Sequence, residues 1–334
     1  MNFRTKIDIS VDNRFEIDHR TNIMMMGSCF SQNIGNKLIE SKFAVNESPF
    51  GIIYNPLSIS SSIRRLVSGK LFTADELVYH NDVYQSFMHH GSFSSHNKDE
   101  CLENINSSYA NASSMISSID TFIITFGTSY VYKLKETDKI VTNCHKFPAR
   151  EFNRIRLNVE EIYKDWSILI SQLLEINPKL KIIFTVSPIR HWRDGAHENT
   201  ISKSILHLAI DALQTLYPES VLYFPAYEIL IDELRDYRFY DEDMMHPSDL
   251  SVEYIWKRFG DSFFSNITKD KNKRINKIIK SINHKPLNIN TESYITFLNQ
   301  TLANIINFQE SYPEIDCSRE TTILKTRIKQ WNTR

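Results

Sequence analysis

The stretch that decides the fold is Thr21-Asn22-Ile23-Met24-Met25-Met26-Gly27-Ser28-Cys29-Phe30-Ser31. Its apolar run, 23–26, stops at Gly27, and helical spacing follows over 32–40. This pattern predicts a short buried strand, a tight turn at the glycine and the start of a helix. Ser28 is therefore expected where a strand ends and a helix begins, which is where open α/β sheets bind ligands.

Two interpretations of Ser28 remain open at this point. A serine in this position can act as a nucleophile whose own N–H helps to hold an oxyanion. The alternative is a turn serine that simply caps the helix, since serine is a preferred N-cap residue. The stretch alone does not separate the two.

The composition excludes several classes of protein. The chain has 334 residues and a formal net charge of -1, so no overall field attracts nucleic acid or an acidic membrane. Its four cysteines, Cys29, Cys101, Cys144 and Cys317, lack the spacing of a zinc site or a disulfide scaffold. The first residues contain no apolar leader, and no later run approaches the ~18 apolar residues of a membrane span. We therefore expect a cytoplasmic protein with reduced thiols and no membrane span.

The order of elements predicts an α/β fold. Strong strand signals at 23–26, 119–126, 180–187 and 221–224 alternate with helical patterns, the clearest at 56–68, 159–177 and 202–217. Such alternation is typical of a parallel sheet covered on both faces. We expect one domain over 1–265.

Three segments fall outside that alternation. Residues 71–97 are aromatic and His-rich and indicate a hairpin insertion, and 131–141 indicate a second hairpin. From residue 268 onward the composition becomes rich in Lys, Asn and Ile. We expect a helical C-terminal extension over 266–334 packed on the domain, with the Lys-rich run 269–274 as a solvated linker.

Asp243 and His246 supply a second candidate cluster. Residues three apart on a helical turn share a face, so the carboxylate can orient the imidazole. Histidine is the usual base for a serine hydroxyl, and the carboxylate fixes its tautomer. Because the pair follows the last predicted strand, it is expected at the same sheet edge as Ser28.

These motifs together resemble a known family. The segments that carry the resemblance to the GSCFA family of bacterial proteins are 27–30, 50–56, 126–128, 143–146, 187–195 and 243–247. The family looks like a branch of the SGNH (GDSL-like) hydrolase superfamily. The resemblance implies a flavodoxin-like, doubly wound sheet of about five parallel strands. It also implies a Ser-His-Asp triad that acts on acyl esters.

Residue by residue, the resemblance makes Ser28 the nucleophile, His246 the base and Asp243 its orienting carboxylate. The N–H groups of Ser28 and Gly51 would form the oxyanion hole. One motif departs from the superfamily pattern, because Thr128-Ser129 follows Gly127 where an oxyanion-hole asparagine is expected two residues after the glycine. The candidates to replace it are Asn55 and Asn143, followed by the Thr128 hydroxyl.

Residues near the same edge are candidates for substrate contact. They are Gly127, His145, Arg190 and His191, with Arg193 beside them. A guanidinium there can hold a carboxylate or phosphate. The alternatives are a loop hydrogen bond for His145 and salt bridges from the arginines to Asp194 or Glu198.

Two further groups could be functional, but we favour a structural role for each. A Cys29 thiolate would be stabilised at the predicted helix start, but we expect the side chain to turn away from Ser28 into the core. His89, His90 and His96 lack an acidic or cysteine partner at metal-ligand spacing, so we expect a surface hairpin and no metal.

The sequence thus predicts a serine-dependent ester hydrolase or O-acyltransferase that forms an acyl-Ser28 intermediate. We expect a small, soluble substrate such as an acetyl ester or an acylated sugar, and no metal or organic cofactor. The alternative is a binding module that keeps the SGNH fold and pocket without turnover, which the missing asparagine favours. The sequence does not predict the oligomeric state.

Overall fold

The computed structural model of the protein describes residues 5–9, 11–284, 286 and 288–333. Its centre is a five-stranded parallel sheet. The strands are β1 (Asn22–Gly27), β2 (Ala44–Glu47), β5 (Thr121–Phe126), β9 (Lys181–Val186) and β10 (Val221–Tyr223). Their spatial order is β2-β1-β5-β9-β10, so that β1 lies between β2 and β5, the next two strands of this sheet along the chain. This is the flavodoxin-like order, and it confirms the predicted fold class.

Ten helices accompany the strands in the described residues. They are α1 (Cys29–Glu40), α2 (Pro56–Ser68), α3 (Lys98–Met115), α4 (Val159–Ile176), α5 (Gly195–Leu216), α6 (Ala226–Glu228), α7 (Asp249–Phe263), α8 (Asn266–Asn283), α9 (Glu292–Ser311) and α10 (Ser318–Asn332). Helix α6 continues directly into a π-helical turn, Ile229–Glu233. Most predicted helices appear within a few residues of their expected ends. The exception is α5, which begins at Gly195, seven residues before the predicted start.

Alternate residues along each central strand enter different hydrophobic cores. On β1, Met24 and Met26 join a cluster with α2, α3, α4 and α5. Ile23 and Met25 join a second cluster with α1 and α7. Because successive strand side chains point to opposite faces, the sheet is buried on both sides by helices. This doubly wound arrangement brings the carboxyl ends of all five strands to one edge.

Two insertions lie outside the central sheet. The first contains the predicted hairpin of β3 (Val78–His80) and β4 (Val83–Gln85). The second is a three-stranded antiparallel sheet of β6 (Tyr130–Leu134), β7 (Ile140–Val141) and β8 (Phe152–Arg156). The sequence predicted only a β6–β7 hairpin, so β8 is an addition. Its residues 153–156 are exposed and give no apolar alternation.

The last three helices form their own hydrophobic cluster, which includes Ile275, Leu298 and Leu324. An ion pair of 2.6 Å between Lys42 Nζ and Glu320 Oε1 joins α10 to the segment that follows α1. The predicted linker over 269–274 is wrong, because these residues belong to α8. In the described ranges, no helix has the length and apolar character needed to cross a membrane.

Candidate active site

Gly27 makes the turn at the end of β1 possible. Its φ is +150°, and a Cβ there would lie 2.5 Å from the carbonyl oxygen of Thr125 on β5. The chain then enters α1 with Ser28 as the N-cap residue. The side chain of Ser28 makes no capping hydrogen bond to the described backbone. Ser28 therefore occupies the N-cap position that the helix-capping alternative predicts, but in the described part of the chain its hydroxyl makes no capping hydrogen bond.

The segment between β2 and α2 is fastened to two neighbouring strand ends. The Ile53 N–H donates to the carbonyl of Gly27 at 2.8 Å. The N–H groups of Gly127 and Thr128 both donate to the carbonyl of Tyr54, at 2.7 and 3.0 Å. These bonds hold the segment across the ends of β1 and β5, where the strand order reverses.

Asn55 ends that segment and caps α2. Its Oδ1 accepts the Ser58 N–H at 2.8 Å, and its Nδ2 donates to Ser58 Oγ at 2.9 Å. A side-chain amide carries two hydrogens, so this arrangement uses one of them. The residue is 5% exposed and is fixed beside the strand ends.

Asp243 and His246 form a hydrogen-bonded pair in the segment before α7. His246 Nδ1 lies 2.5 Å from Asp243 Oδ2, while Oδ1 accepts the N–H groups of Met245 and His246, each at 2.9 Å. These bonds lower the pKa of Asp243 to about 2, so its carboxylate is ionised at neutral pH. The pair lies in an irregular turn with Met244 at φ +58°, which corrects the predicted helical turn.

Ser28 and His246 line the same cavity of about 490 Å³ at the carboxyl edge of the sheet. The described residues around it are Ser28, Cys29, Tyr54, Asn55, Thr128, Tyr130, Tyr132, Thr142, Arg154, Ser187, Ile189, Arg190, His191, Trp192, Arg193, Met245 and His246. They come from the ends of β1, β5 and β9, from the segment before α2, from the small antiparallel sheet and the residue that follows its strand β7, and from the turn before α7. The two residues predicted to react together therefore face one space.

The hydroxyl of Ser28 has no hydrogen-bond partner among the described residues, although it is buried. Ser28 Oγ and His246 are thus not bonded to each other here, and the His246 side chain is 48% exposed. In proteins without a bound substrate, the hydrogen bond between nucleophile and base is often long. Unpaired buried hydroxyls are uncommon, and this one adjoins a cavity.

The position of Cys29 differs from the predicted one. We expected its side chain in the core, whereas the residue lines the cavity beside Ser28 as well as packing against the second hydrophobic cluster. Burial raises the pKa of its thiol. Because the thiolate is the reactive form, this environment does not activate Cys29.

The predicted oxyanion-hole residues do not all reach the cavity. Asn55 and Thr128 line it, whereas Gly51 and Asn143 do not. The Gly51 N–H donates to the Ser48 carbonyl at 2.6 Å, so a role in the oxyanion hole would require that bond to break. Gly51 has φ +77°, and a Cβ there would lie 2.4 Å from Cβ of His90. That close approach is a packing reason for the glycine.

The loop around Asn143 is directed into the protein. Asn143 Oδ1 accepts the His145 N–H at 2.9 Å, and His145 Nε2 bonds with the Ser86 carbonyl at 2.7 Å. His145 is 8% exposed and does not line the cavity. These contacts match the loop-hydrogen-bond alternative for His145. Gly127 is likewise outside the cavity wall, and its N–H is bonded to Tyr54.

Arg190 and His191 do line the cavity. Burial and the nearby charge of Lys203 lower the pKa of His191 to about 4, so this imidazole is neutral at pH 7. Arg190 and Arg193 form no ion pair with any residue in the described ranges, and the alternative of salt bridges to Asp194 or Glu198 is wrong. Asp194 pairs with Arg154 and Glu198 with Arg156.

The family of the chain is shown by comparison with known sequence families. The GSCFA family matches residues 22–259, which is well over half of the chain. The chain belongs to the GSCFA family. The C-terminal domain of GSCFA domain proteins matches residues 275–330, which span the second half of α8, all of α9 and most of α10. Among curated proteins, none matches the chain.

Sequence reasoning missed several cavity residues of this GSCFA protein. Tyr130, Tyr132 and Arg154 come from the small antiparallel sheet, Tyr54 from the segment before α2 and Trp192 from a 3-10 turn before α5. Tyr130 and Tyr132 alternate on β6, so they share a face, and this period-two spacing was an available signal. The position of that sheet over the cavity is a tertiary feature with no local signal.

Lys203 is the other residue that the sequence did not single out. It is 2% exposed, and its Nζ donates to the carbonyls of Gly127 at 2.7 Å and Ser187 at 2.6 Å. Burial lowers its pKa to about 7. The lysine therefore ties together the ends of β5 and β9 beneath the GSCFA cavity. The available signal was a lysine at helical spacing with Leu206 and Ile210 on the buried face of α5.

His89 departs from the expected surface hairpin. It is 0% exposed and stacks on Phe50 with a ring-centroid distance of 4.9 Å. Burial lowers its pKa to about 3. Within the described part of the chain, no cluster of three or more His, Cys, Asp or Glu side chains could hold a metal ion.

Proposed function

We propose that this GSCFA protein is a serine-dependent ester hydrolase or O-acyltransferase that acts on small acyl esters, such as acetyl esters, through an acyl-Ser28 intermediate. The observation that carries the proposal is the shared cavity of Ser28 and His246, with Asp243 bonded to the far nitrogen of the imidazole. Nucleophile, base and orienting carboxylate are the three roles that acyl transfer by a serine requires.

The proposed reaction has two halves. His246 Nε2 removes the Ser28 proton as Oγ attacks the acyl carbon, and the imidazolium returns that proton to the leaving alcohol. Water or a second hydroxyl group then attacks the acyl-Ser28 ester and gives its proton to His246. The bond between the acyl carbon and Oγ breaks, and His246 returns the proton to Ser28 Oγ. Asp243 stays ionised throughout because its pKa is about 2, and it stabilises the imidazolium between the two proton transfers.

The developing oxyanion requires donors close to Ser28. We propose the Ser28 N–H, at the amino end of α1, and the second Nδ2 hydrogen of Asn55. Asn55 is favoured over Asn143 because it lines the cavity and still has an unused donor. In this assignment, Asn55 supplies the donor that an asparagine would supply in the motif after β5, where this chain has Ser129 instead.

We infer that the GSCFA family is a branch of the SGNH hydrolase superfamily. Three features support this: the flavodoxin-like strand order, the serine at the end of the first central strand, and the Asp-x-x-His turn after the last one. Both water and a second hydroxyl group can accept an acyl group from a serine ester. We therefore keep hydrolysis and transfer together in the proposal.

The competing function is a binding module without turnover. The specific observation in its favour is that Ser28 Oγ and His246 are not hydrogen bonded, with the imidazole half-exposed. A binding module predicts that Ser28 does not react with reagents that require an activated serine.

A fluorophosphonate probe tests the proposal directly. We expect it to label the wild-type protein and Cys29→Ala, and not Ser28→Ala. Ser31→Ala is the matched control, because Ser31, in the first turn of α1, is also a buried serine with an unpaired hydroxyl but does not line the cavity. Labelling of Ser28→Ala at the wild-type rate, or no labelling of the wild type, would overturn the proposal.

A further inference from the structure

One wall of the cavity carries positive charge that nearby carboxylates do not neutralise. Arg154, Arg190 and Arg193 line it, and the described lining residues include no aspartate or glutamate. Arg154 is paired with Asp194 at 2.5 Å. Arg190 and Arg193 have no such partner in the described part of the chain. Two of the arginines that line the space beside Ser28 therefore have no carboxylate partner among the described residues.

The acidic residues that follow β9 in sequence are held elsewhere. The side chain of Asp194 is only 4% exposed beneath Arg154. Glu198 bonds with Arg156 and accepts the Tyr130 hydroxyl at 2.8 Å. Neither carboxylate is free to turn toward Arg190 or Arg193. The positive charge is consequently available to a ligand.

Aromatic rings support this arginine wall. The Arg154 guanidinium lies 3.9 Å from the centroid of the Tyr130 ring, and the Arg193 guanidinium lies 6.0 Å from that of Tyr132. Stacking on a ring face restricts a guanidinium plane and lowers the entropy lost when it binds an anion. Arg154, already paired, thus helps to shape the wall, while Arg193 lies at the outer limit of cation–π distance from Tyr132 and has no ion-pair partner among the residues described.

We propose that Arg190 and Arg193 bind an anionic group of the substrate, a carboxylate or a phosphate, so that the enzyme prefers negatively charged acyl esters. Guanidinium groups bind both kinds of oxyanion through paired N–H donors. The inference rests on the proposed ester chemistry at Ser28 and specifies its substrate class. The charged group would lie in the alcohol or acyl part that extends from the reacting ester toward the end of β9.

Three aryl acetates with the same reacting bond test this preference. They are 3-acetoxybenzoate, 3-acetoxyphenyl phosphate and the neutral 3-acetoxybenzamide. Each kcat/KM is divided by the rate of hydrolysis in buffer, which removes differences in leaving-group reactivity. We expect at least one anionic ester to exceed the amide by about tenfold, the size of one charged hydrogen bond. Comparison of the benzoate with the phosphate shows which anion the wall fits.

Two substitutions assign the preference to the arginines. In Arg190→Gln and Arg193→Gln the anionic-to-neutral ratio should fall severalfold, and in the double variant it should approach one. Arg150→Gln, an exposed arginine outside the cavity, should keep the wild-type ratio. A wild-type ratio near one, or a ratio that survives in the double variant, would overturn the inference while leaving the ester chemistry intact.

A binding measurement covers the case in which none of the esters is hydrolysed and the proposed function itself fails. Isothermal titration calorimetry with inorganic phosphate, benzoate and benzamide then reports the site without catalysis. Binding of either anion that weakens about tenfold or more in the double variant, with no binding of benzamide, supports the anion site. Equal anion binding by both proteins, or none by the wild type, contradicts it.

Discussion

His246 Nδ1 lies 2.5 Å from Oδ2 of Asp243, while the other oxygen of this carboxylate accepts two backbone N–H groups of the same turn. The carboxylate is therefore fixed by its own turn before it meets the imidazole. Orientation of the base depends on a local, self-contained loop, although the nucleophile lies more than two hundred residues earlier in the chain.

Replacement of the carboxylate should disable the base without disturbing the fold. In Asp243→Asn, the amide can present its NH₂ group to Nδ1 and so favour the wrong tautomer of His246. We expect kcat for p-nitrophenyl acetate to fall roughly 10²- to 10⁴-fold, the usual contribution of general base catalysis. Glu242→Gln, at the adjacent exposed carboxylate, should keep wild-type kcat. A value within threefold of wild type for Asp243→Asn would contradict the assignment.

A substitution of Asn55 should change catalysis without changing the capping of α2. Asn55→Ser keeps a side chain that can cap α2 and removes the amide donor. We expect kcat to fall about 10²- to 10³-fold, as for other single oxyanion-hole donors. The melting temperature should change little.

The matched control for this test is Asn97→Ser. Asn97 caps α3 through the N–H groups of Asp99 and Glu100, outside the cavity. It should show the same small stability change with wild-type kcat. If Asn55→Ser retained wild-type kcat, another group would have to supply the second donor.

The central fold could be predicted because its signals are local. The apolar run from Ile23 to Met26 and its glycine stop specify both a buried strand and the turn that places Ser28. By contrast, β8 was missed because Asn153, Arg154 and Ile155 are exposed and are held in the sheet by backbone bonds to β6. No side-chain period marks such a strand.

The residues of the candidate site also divide into those that a local sequence pattern predicts and those that only tertiary contacts place. Ser28, Asp243 and His246 stand in recognisable motifs, and the sequence predicted them.

Arg190 and Arg193 were candidates because they follow β9, whereas Arg154 reaches the cavity only because an inserted sheet folds over the strand ends. The burial of His89 depends on packing against Phe50, which is thirty-nine positions away. These are tertiary contacts, which residue patterns within one segment do not encode.

Burial of His89 should make the fold sensitive to acid. Its pKa is about 3 in the folded protein and 6.5 for an exposed histidine, so below pH 6.5 the unfolded chain binds the additional proton. Relative to His89→Leu, the free energy of unfolding of the wild type should fall with decreasing pH by up to about 1.4 kcal/mol per unit. Urea denaturation at pH 7, 6 and 5 measures this.

A buried residue without a titratable group, Phe122, provides the control for that experiment. In Phe122→Leu the difference from wild type should stay constant between pH 7 and pH 5. A constant difference for His89→Leu as well would show that His89 accepts a proton in the folded state as readily as in the unfolded chain.

Lys203 should make the free energy of unfolding depend on pH at the alkaline end of the range. Its pKa is about 7 in the folded protein against an ordinary value of 10.5, because burial disfavours the charged ammonium. Between these two values the unfolded chain holds a proton that the folded protein has lost, so stability rises with pH. Relative to Lys203→Met, the free energy of unfolding of the wild type should rise from pH 7 to pH 9 by up to about 1.4 kcal/mol per unit.

The same variant separates the charge of Lys203 from its hydrogen bonds. Lys203→Met leaves the carbonyls of Gly127 and Ser187 without their donor, which should lower stability at every pH and loosen the strand ends below the cavity. Only the proton produces a pH-dependent difference. A difference between wild type and Lys203→Met that does not change from pH 7 to pH 9 would mean that the buried ammonium keeps its proton, held by its two carbonyl acceptors.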